Sequence, residues 1–268
     1  MLNLLKIEWL KIKTYRTFWV LFSCFVIFFP ASYFFTASKF MSSRDITAEE
    51  RVLKGMLGAP FSFPGAWLSS AYFAGIFFII IGMLFILLIT NEVQYRTHRQ
   101  NIIDGWSRMN FLMAKGSVMI VLVLVSTLLV AICGYIVGSK YAYASGNANA
   151  SEGIQFIGYF AIMALLYLMV AFLVAILIKR TGLAIIIYFA VVCIIDNILW
   201  LIFYARDSQV ANFMPLEVAD ALVPNPFKPK ALEKRTVGDS TLILAAFAYM
   251  TLYGYIIINR FKNTDLKT

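Results

Sequence analysis

The stretch Asn91–Lys115, NEVQYRTHRQNIIDGWSRMNFLMAK, is a polar segment between two strongly apolar runs of the sequence. It holds His98, which is the only histidine of the chain, and four of its basic residues. The apolar run on either side is long enough to cross a bilayer, for which about 20 residues are needed. The sequence therefore predicts a polar loop, 91–116, that joins two membrane helices on one side of a membrane.

The whole chain has the composition of a membrane protein. Of its 268 residues, 61% are hydrophobic and 14% are charged, whereas soluble domains have about 45–50% apolar and about 25% charged residues. The charges cluster between apolar runs, as in helical membrane proteins with several spans. We expect an all-α polytopic fold in a single transmembrane domain, 1–268. The cysteines at 24, 133 and 193 lie inside apolar runs and indicate small buried side chains.

Six apolar runs are long enough to span a membrane. Before the first run, residues 1–16 place Leu2, Leu5, Trp9 and Ile12 at helical spacing, which predicts an interfacial helix. After the fifth run, the segment 205–239 holds four prolines and predicts short helices that enter the outer leaflet or cap a path. The six spans are roughly 18–37, 68–90, 117–138, 154–178, 182–204 and 240–258.

The even number of spans places both termini on one side of the membrane. That side, with the loop 91–116, carries 13 lysines and arginines against 10 on the other side. Because cytoplasmic loops are enriched in basic residues, we expect both termini and the loop to be cytoplasmic. The basic character of the chain is explained by attraction to anionic membrane lipids, and no nucleic-acid partner is needed.

Asp196 is the only formal charge inside a predicted span. It lies roughly 13 Å from the outer end of the fifth span, taking 1.5 Å per residue. Such an acid is costly in lipid and usually faces a cavity or a partner. Two interpretations stay open. In the functional interpretation, Asp196, with Asn197, contacts a polar or cationic substrate on its path, or Asp196 is a latch between helices that rearrange. In the structural interpretation, Asp196 is protonated or satisfied by Asn197.

Motifs that carry chemistry are missing from the sequence. It has no G-x-S-x-G and no histidine, cysteine and acid cluster at metal-ligand spacing. It also lacks the G-x-x-x-x-G-K-[ST] loop that binds nucleotide phosphates. We therefore expect no catalytic residue, no metal and no cofactor in this chain. If the chain moves a solute against a gradient, the energy must come from elsewhere.

The loop itself has the pattern of a docking element. Residues 99–103 predict a short helix that lies across the ends of two spans, with a turn at Asp104-Gly105. Ser107 is a good N-cap for the helix that continues into the third span. The short helix combines polar side chains with two apolar ones, which suits a groove on a soluble partner.

This loop resembles the coupling-helix segment of type-2 ABC exporter permeases, particularly those of the drug- and bacteriocin-resistance or sodium-efflux type. The variant Arg99–Arg108 is similar to permeases of Bacteroidetes-type bacteria. The shared features are an acid after the second span, Thr-x-Arg, a short apolar and polar helix, Ser-Arg, and a lysine at the start of the third span. The residues that the resemblance assigns to ATPase coupling are Glu92, Thr97, Arg99, Gln100, Asn101, Ile102, Ile103, Asp104, Gly105, Ser107, Arg108 and Lys115.

The resemblance implies a permease of the bacterial inner membrane that works as a pair, with an identical or a sister permease. Two copies of a separate cytoplasmic ABC ATPase, which binds the ATP and Mg, would drive alternating access. The substrate stays open among peptides, drugs, lipids and ions, and Asp196 favours an amphipathic or cationic one. The alternatives are a membrane scaffold or sensor that binds a cytoplasmic partner without transport, and a secondary carrier or channel.

Overall fold

The computed structural model describes residues 2–42, 57, 59–94, 108–142, 149–178, 180–206, 209–228 and 237–263. This part of the chain is helical, without strands, and it contains six helices that are long and apolar enough to cross a membrane. The predicted all-α fold class is confirmed. The protein is a multi-pass membrane protein.

The described helices follow one another along the chain as an N-terminal helix and six spans. We call the end of the bundle that carries the N-terminal helix and the end of the last helix the terminal side, and the opposite end the far side. The N-terminal helix is Leu2–Thr14. The first four spans are Arg16–Ser42, Gly65–Gln94, Arg108–Lys140 and Gln155–Leu177, and the sixth is Asp239–Asn263. The fifth consists of Thr181–Ala190, a π-helical turn at Val191–Ile195, and Asp196–Tyr204.

The second and fourth spans form the centre of the bundle. Half of the apolar part of the second span and 61% of that of the fourth are buried, against 17% for the fifth and sixth. Rings of these two central spans pack edge to face, with centroids 5.6 Å apart for Phe78 and Phe160 and 5.5 Å for Phe85 and Phe172. The outer spans expose large apolar side chains such as Leu244, as expected for surfaces that face lipid.

Two glycines allow close packing within this bundle. A Cβ atom at Gly82 of the second span would collide with the hydroxyl group of Tyr188 on the fifth span. A Cβ atom at Gly138 of the third span would collide with the Phe63 ring. Both glycines therefore serve contacts inside one chain.

The segment between the fifth and sixth spans folds back over the far side. Its described residues contain two short helices, Gln209–Phe213 and Glu217–Asp220. The Phe227 ring packs against Phe61 and Phe73, with centroids 5.8 and 6.0 Å apart. These contacts tie the segment to the far-side end of the second span. Its entry into a lipid leaflet stays a prediction.

Candidate functional site

Glu8, Lys11, Glu92 and Lys115 form a cluster of opposite charges on the terminal side, which we call the ion cluster. The Lys115 Nζ atom lies 2.5 Å from Glu8 Oε2 and 2.7 Å from Glu92 Oε1. The Lys11 Nζ atom lies 3.1 Å from Glu8 Oε1 and 3.3 Å from Glu92 Oε1. Each lysine therefore bridges both carboxylates, and the four formal charges balance.

The ion cluster is mostly shielded from solvent. The side chains of Lys115 and Glu8 are 1% and 3% exposed, and that of Glu92 is 13% exposed. Burial alone would raise the pKa of Glu8, but the ammonium groups of Lys115 and Lys11 outweigh it and hold that pKa below its ordinary value. Burial would lower the pKa of Lys11, but Glu92 and Glu8 outweigh it and raise that pKa. Glu8 and Lys11 are therefore held in their charged forms at neutral pH.

The ion cluster links three helices at the terminal side. Glu92 lies in the last turn of the second span, and Lys115 lies two turns into the third. The cluster therefore ties the N-terminal helix to both ends of the stretch 95–107. The fifth span begins beside it, where the Thr181 hydroxyl donates a hydrogen bond of 3.1 Å to Gln94 Oε1.

Glu8 determines which face of the N-terminal helix packs against the protein. This face differs from the one that the apolar residues of the helix predicted. Glu8 and Ile12, one turn apart, are 2% and 6% exposed and face the protein. Trp9, expected on the same face as Ile12, is 53% exposed. The physical reason is that pairing with Lys115 requires Glu8 to point inward, and Trp9 then points away. The location of this helix at a membrane interface stays a prediction.

The structure brings together two of the predicted coupling residues, Glu92 and Lys115, and adds two that the sequence analysis missed, Glu8 and Lys11. A signal was present, because Glu8 is an acid in a basic segment and Lys11 follows at the spacing of helical neighbours. Arg108 begins the third-span helix. The Arg108 side chain and the predicted coupling residues Thr97, Arg99, Gln100, Asn101, Ile102, Ile103, Asp104, Gly105 and Ser107 lie outside the described residues.

We expect the ion cluster to lose its stabilising effect in acid. Because the folded-state pKa of Glu8 is lowered, its contribution is present above its ordinary value of 4.5 and is lost as the pH falls through the lowered value. Thermal unfolding of the purified protein, followed from neutral pH downward, should show this loss in the wild type and not in Glu8→Gln. The control Glu152→Gln alters an exposed far-side carboxylate and should keep the wild-type profile. Identical acid profiles of Glu8→Gln and the wild type would contradict the expectation.

Asp196 anchors the segment between the fifth and sixth spans. It is 6% exposed, and its Oδ1 atom accepts a hydrogen bond of 3.2 Å from the backbone N–H of Leu216. The Asn197 amide points elsewhere and donates a hydrogen bond of 3.2 Å to the Val192 carbonyl. The contact with Leu216 supports the structural interpretation of Asp196, and its role toward a substrate stays a prediction.

A cavity of about 770 Å³ opens on the far side. Its walls come from the second, fourth and fifth spans and from the segment that follows the fifth. Asn197 lines it, as do two acids of the short helix, Glu217 and Asp220. Both carboxylate oxygens of Asp220 accept the Tyr167 hydroxyl, at 2.8 and 2.9 Å.

Both lining acids are hard to ionise. Burial, followed by the negative charges of Asp220 and Asp196, raises the pKa of Glu217 to about 8. Burial also raises the pKa of Asp220 to about 7, against the effect of the Tyr167 hydrogen bond. Within the described residues, no group of three histidine, cysteine, aspartate or glutamate side chains is arranged to hold a metal ion.

Comparison with known proteins assigns the chain to a family. Residues 4–197 match the family described as ABC-2 family transporter protein. A comparison with curated proteins gives no match. The matched range includes all four residues of the ion cluster. Permeases of this family are transport components of the membrane, and they normally work with an ATPase partner and dimerise. Since the match covers most of its length, the chain belongs to the ABC-2 transporter family.

Proposed function

We propose that this chain is the permease subunit of an ATP-driven exporter in the bacterial inner membrane. The terminal side faces the cytoplasm, so that the stretch 95–107 meets a separate ABC ATPase. Two copies of that ATPase bind ATP and Mg and drive two permease subunits, identical or sister, between inward-facing and outward-facing states. Family membership supports transport by an ABC system, and the clustering of basic residues supports the orientation.

The ion cluster is the observation that carries this proposal. An ATPase that pushes on a loop moves the membrane helices only if the base of the loop is stiff. Glu92 and Lys115, on the two helices that leave the loop, are paired at 2.7 Å. The pair is largely shielded from solvent. Separating the two charges would therefore be costly, because little water is present to solvate them. A push on the loop would therefore move the second span, the third span and the N-terminal helix together.

The motion has a direct route into the core. The second span, which ends at the ion cluster, packs along the fourth span through the ring pairs Phe78–Phe160 and Phe85–Phe172. Interlocked rings do not slide past one another without repacking. A tilt of the second span at the terminal side would therefore reach the far-side cavity, to which the second and fourth spans both contribute.

The proposal is tested by purification of the chain from its native membrane and an ATPase assay of the co-purified proteins. A P-loop ATPase should accompany the wild type and be lost from the double variant Arg99→Ala with Asp104→Ala. The matched control is Arg206→Ala with Glu152→Ala, which removes one exposed base and one exposed acid on the far side and should retain the ATPase.

Two outcomes would contradict the proposal. One is a wild-type chain that purifies without an ATPase, which would favour the scaffold, carrier or channel alternatives. The other is an ATPase that stays bound, with unchanged activity, in the Arg99 and Asp104 double variant.

A further inference from the structure

The far-side cavity has the size of a site for a drug-sized molecule. Its volume of about 770 Å³ falls within the range of about 300–1,000 Å³ that such ligands occupy. A bare inorganic ion would leave most of this space empty. The cavity extends through the far-side half of the bundle. It is lined by Ile79, four turns into the second span, and by Tyr167, three turns into the fourth.

When its two acids are ionised, the lining of the cavity carries a net negative formal charge. Glu217 and Asp220 lie three residues apart on the short helix, and both line the cavity. Asp196 adds a third negative charge close enough to affect both of them. Among the described lining residues, Lys228 is the lysine that offsets part of this charge. A cation in the cavity would relieve the repulsion between the carboxylates.

The remaining walls are aromatic and apolar. The Trp200 and Tyr204 rings of the fifth span stack with centroids 4.8 Å apart. Both line the cavity, as does Tyr72 of the second span. Ring faces attract cations, with tryptophan the strongest. Ile76 and Met163 add apolar surface. This lining matches a ligand that carries a positive charge on an aromatic or apolar body.

We propose that the far-side cavity binds drug-sized aromatic organic cations, with Glu217 and Asp220 as counter-charges and Trp200 and Tyr72 as ring contacts. The inference rests on the proposed function, because it makes such a cation the exported substrate. Binding itself requires no ATPase and no transport, so the two are tested separately.

The site predicts that binding is coupled to proton release. The raised pKa values of Glu217, about 8, and Asp220, about 7, leave both acids partly protonated at neutral pH. A bound cation favours their ionised forms, so affinity should increase as the pH rises. Other titratable groups face these acids from the neighbouring elements. Variants are therefore needed to assign the pH dependence of binding to Glu217 and Asp220. These other groups are Tyr72, Tyr167, Tyr188, Cys193, Asp196, Tyr204 and Lys228. On the sixth span, Tyr249 interacts with Asp196.

Calorimetric titration of the purified chain in lipid nanodiscs tests the inference. Tetraphenylphosphonium is the cationic probe, tetraphenylborate is an anion of nearly the same shape, and empty nanodiscs give the baseline for partition into lipid. We expect the cation to bind at least about tenfold more tightly than the anion. Its affinity should rise between about pH 6 and about pH 9. Proton release should appear as an apparent binding enthalpy that changes with the ionisation enthalpy of the buffer.

One double variant and one matched control identify the counter-charges. Glu217→Gln combined with Asp220→Asn keeps the shape of the cavity and should weaken cation binding by about tenfold, with loss of the pH dependence. The control is Asp239→Asn. Asp239 also accepts a hydroxyl group of the fourth span, that of Tyr159 at 2.9 Å, but it does not line the cavity. The control should bind like the wild type.

The inference is overturned if tetraphenylphosphonium fails to bind above the lipid baseline, or if the anion binds equally well. It is also overturned if the double variant binds like the control. Each result is independent of the co-purified ATPase. A chain that retains its ATPase but shows no preference for the cation refutes only the inference. A chain that prefers the cation but carries no ATPase refutes only the proposed function.

Discussion

Replacement of Lys115 by methionine should destabilise the protein by about 3–5 kcal/mol, because it leaves a buried charge without its partner. In the variant, Glu8 and Glu92 would share the single ammonium of Lys11, which is 34% exposed. Chemical unfolding in mixed detergent micelles measures the change. Lys140→Met is the control, since that lysine lies exposed at the other end of the same helix and contacts the Tyr141 ring.

A second substitution separates charge balance from simple loss of contacts. Glu8→Gln, added to Lys115→Met, leaves one acid and one base in the cluster and should restore a large part of the lost stability. If Lys115→Met is no more harmful than Lys140→Met, the ion cluster does not stabilise the fold. In that case the stiff base of the coupling loop, which the proposed function needs, is also absent.

Replacement of Asp196 by alanine should release the segment between the fifth and sixth spans. The carboxylate accepts the backbone N–H of Leu216, and a buried donor left without a partner costs about 1–3 kcal/mol. Leu216 is 1% exposed, so water cannot easily replace the lost acceptor. Limited proteolysis of the purified chain should show faster cleavage between the fifth and sixth spans.

The comparison with Asp196→Asn decides between the two interpretations of this residue. Asparagine keeps an acceptor oxygen at the same place and removes the charge. If Asp196 is structural, Asn retains transport and protease resistance while Ala loses both. Loss of transport in both variants, with protease resistance kept in Asn, would instead assign the charge to the substrate path.

The sequence was sufficient for the fold because lipid imposes a simple requirement on it. A span must be a long apolar helix, and each of the six runs meets that condition without reference to its neighbours. The segment after the fifth span does not follow this requirement. For this proline-rich segment the sequence predicts short helices, and the structure has Gln209–Phe213 and Glu217–Asp220. Leu216 contacts Asp196 and Phe227 packs against the Phe73 ring of the second span, and most of the other described residues of the segment form turns and bends.

The sites could be predicted only in part, because they depend on residues that are distant in sequence. Glu92 and Lys115 were found through the resemblance to coupling segments. Glu8 is 107 positions from Lys115, and nothing local shows that they meet. Asp196 was predicted as a candidate because a charge within a span is unusual. Glu217 and Asp220 were not predicted, because acids are common in a polar segment. Only the return of that segment over the far side makes them part of a cavity.

The π-helical turn at Val191–Ile195 determines the directions in which the side chains of the far-side half of the fifth span point around the helix axis. A π-turn holds about one residue more than an α-turn, and an α-helix advances by about 100° per residue. Side chains beyond Ile195 are therefore rotated by about that angle relative to an uninterrupted α-helix. In this phase Asp196 meets Leu216, and Trp200 lines the cavity. If this turn became α-helical, Asp196 would rotate away from Leu216 and Trp200 would rotate away from the cavity, while Thr181–Ala190 kept its position. A change of phase at this one turn would therefore separate Asp196 from Leu216 and remove Trp200 from the cavity wall without any tilt of the helix.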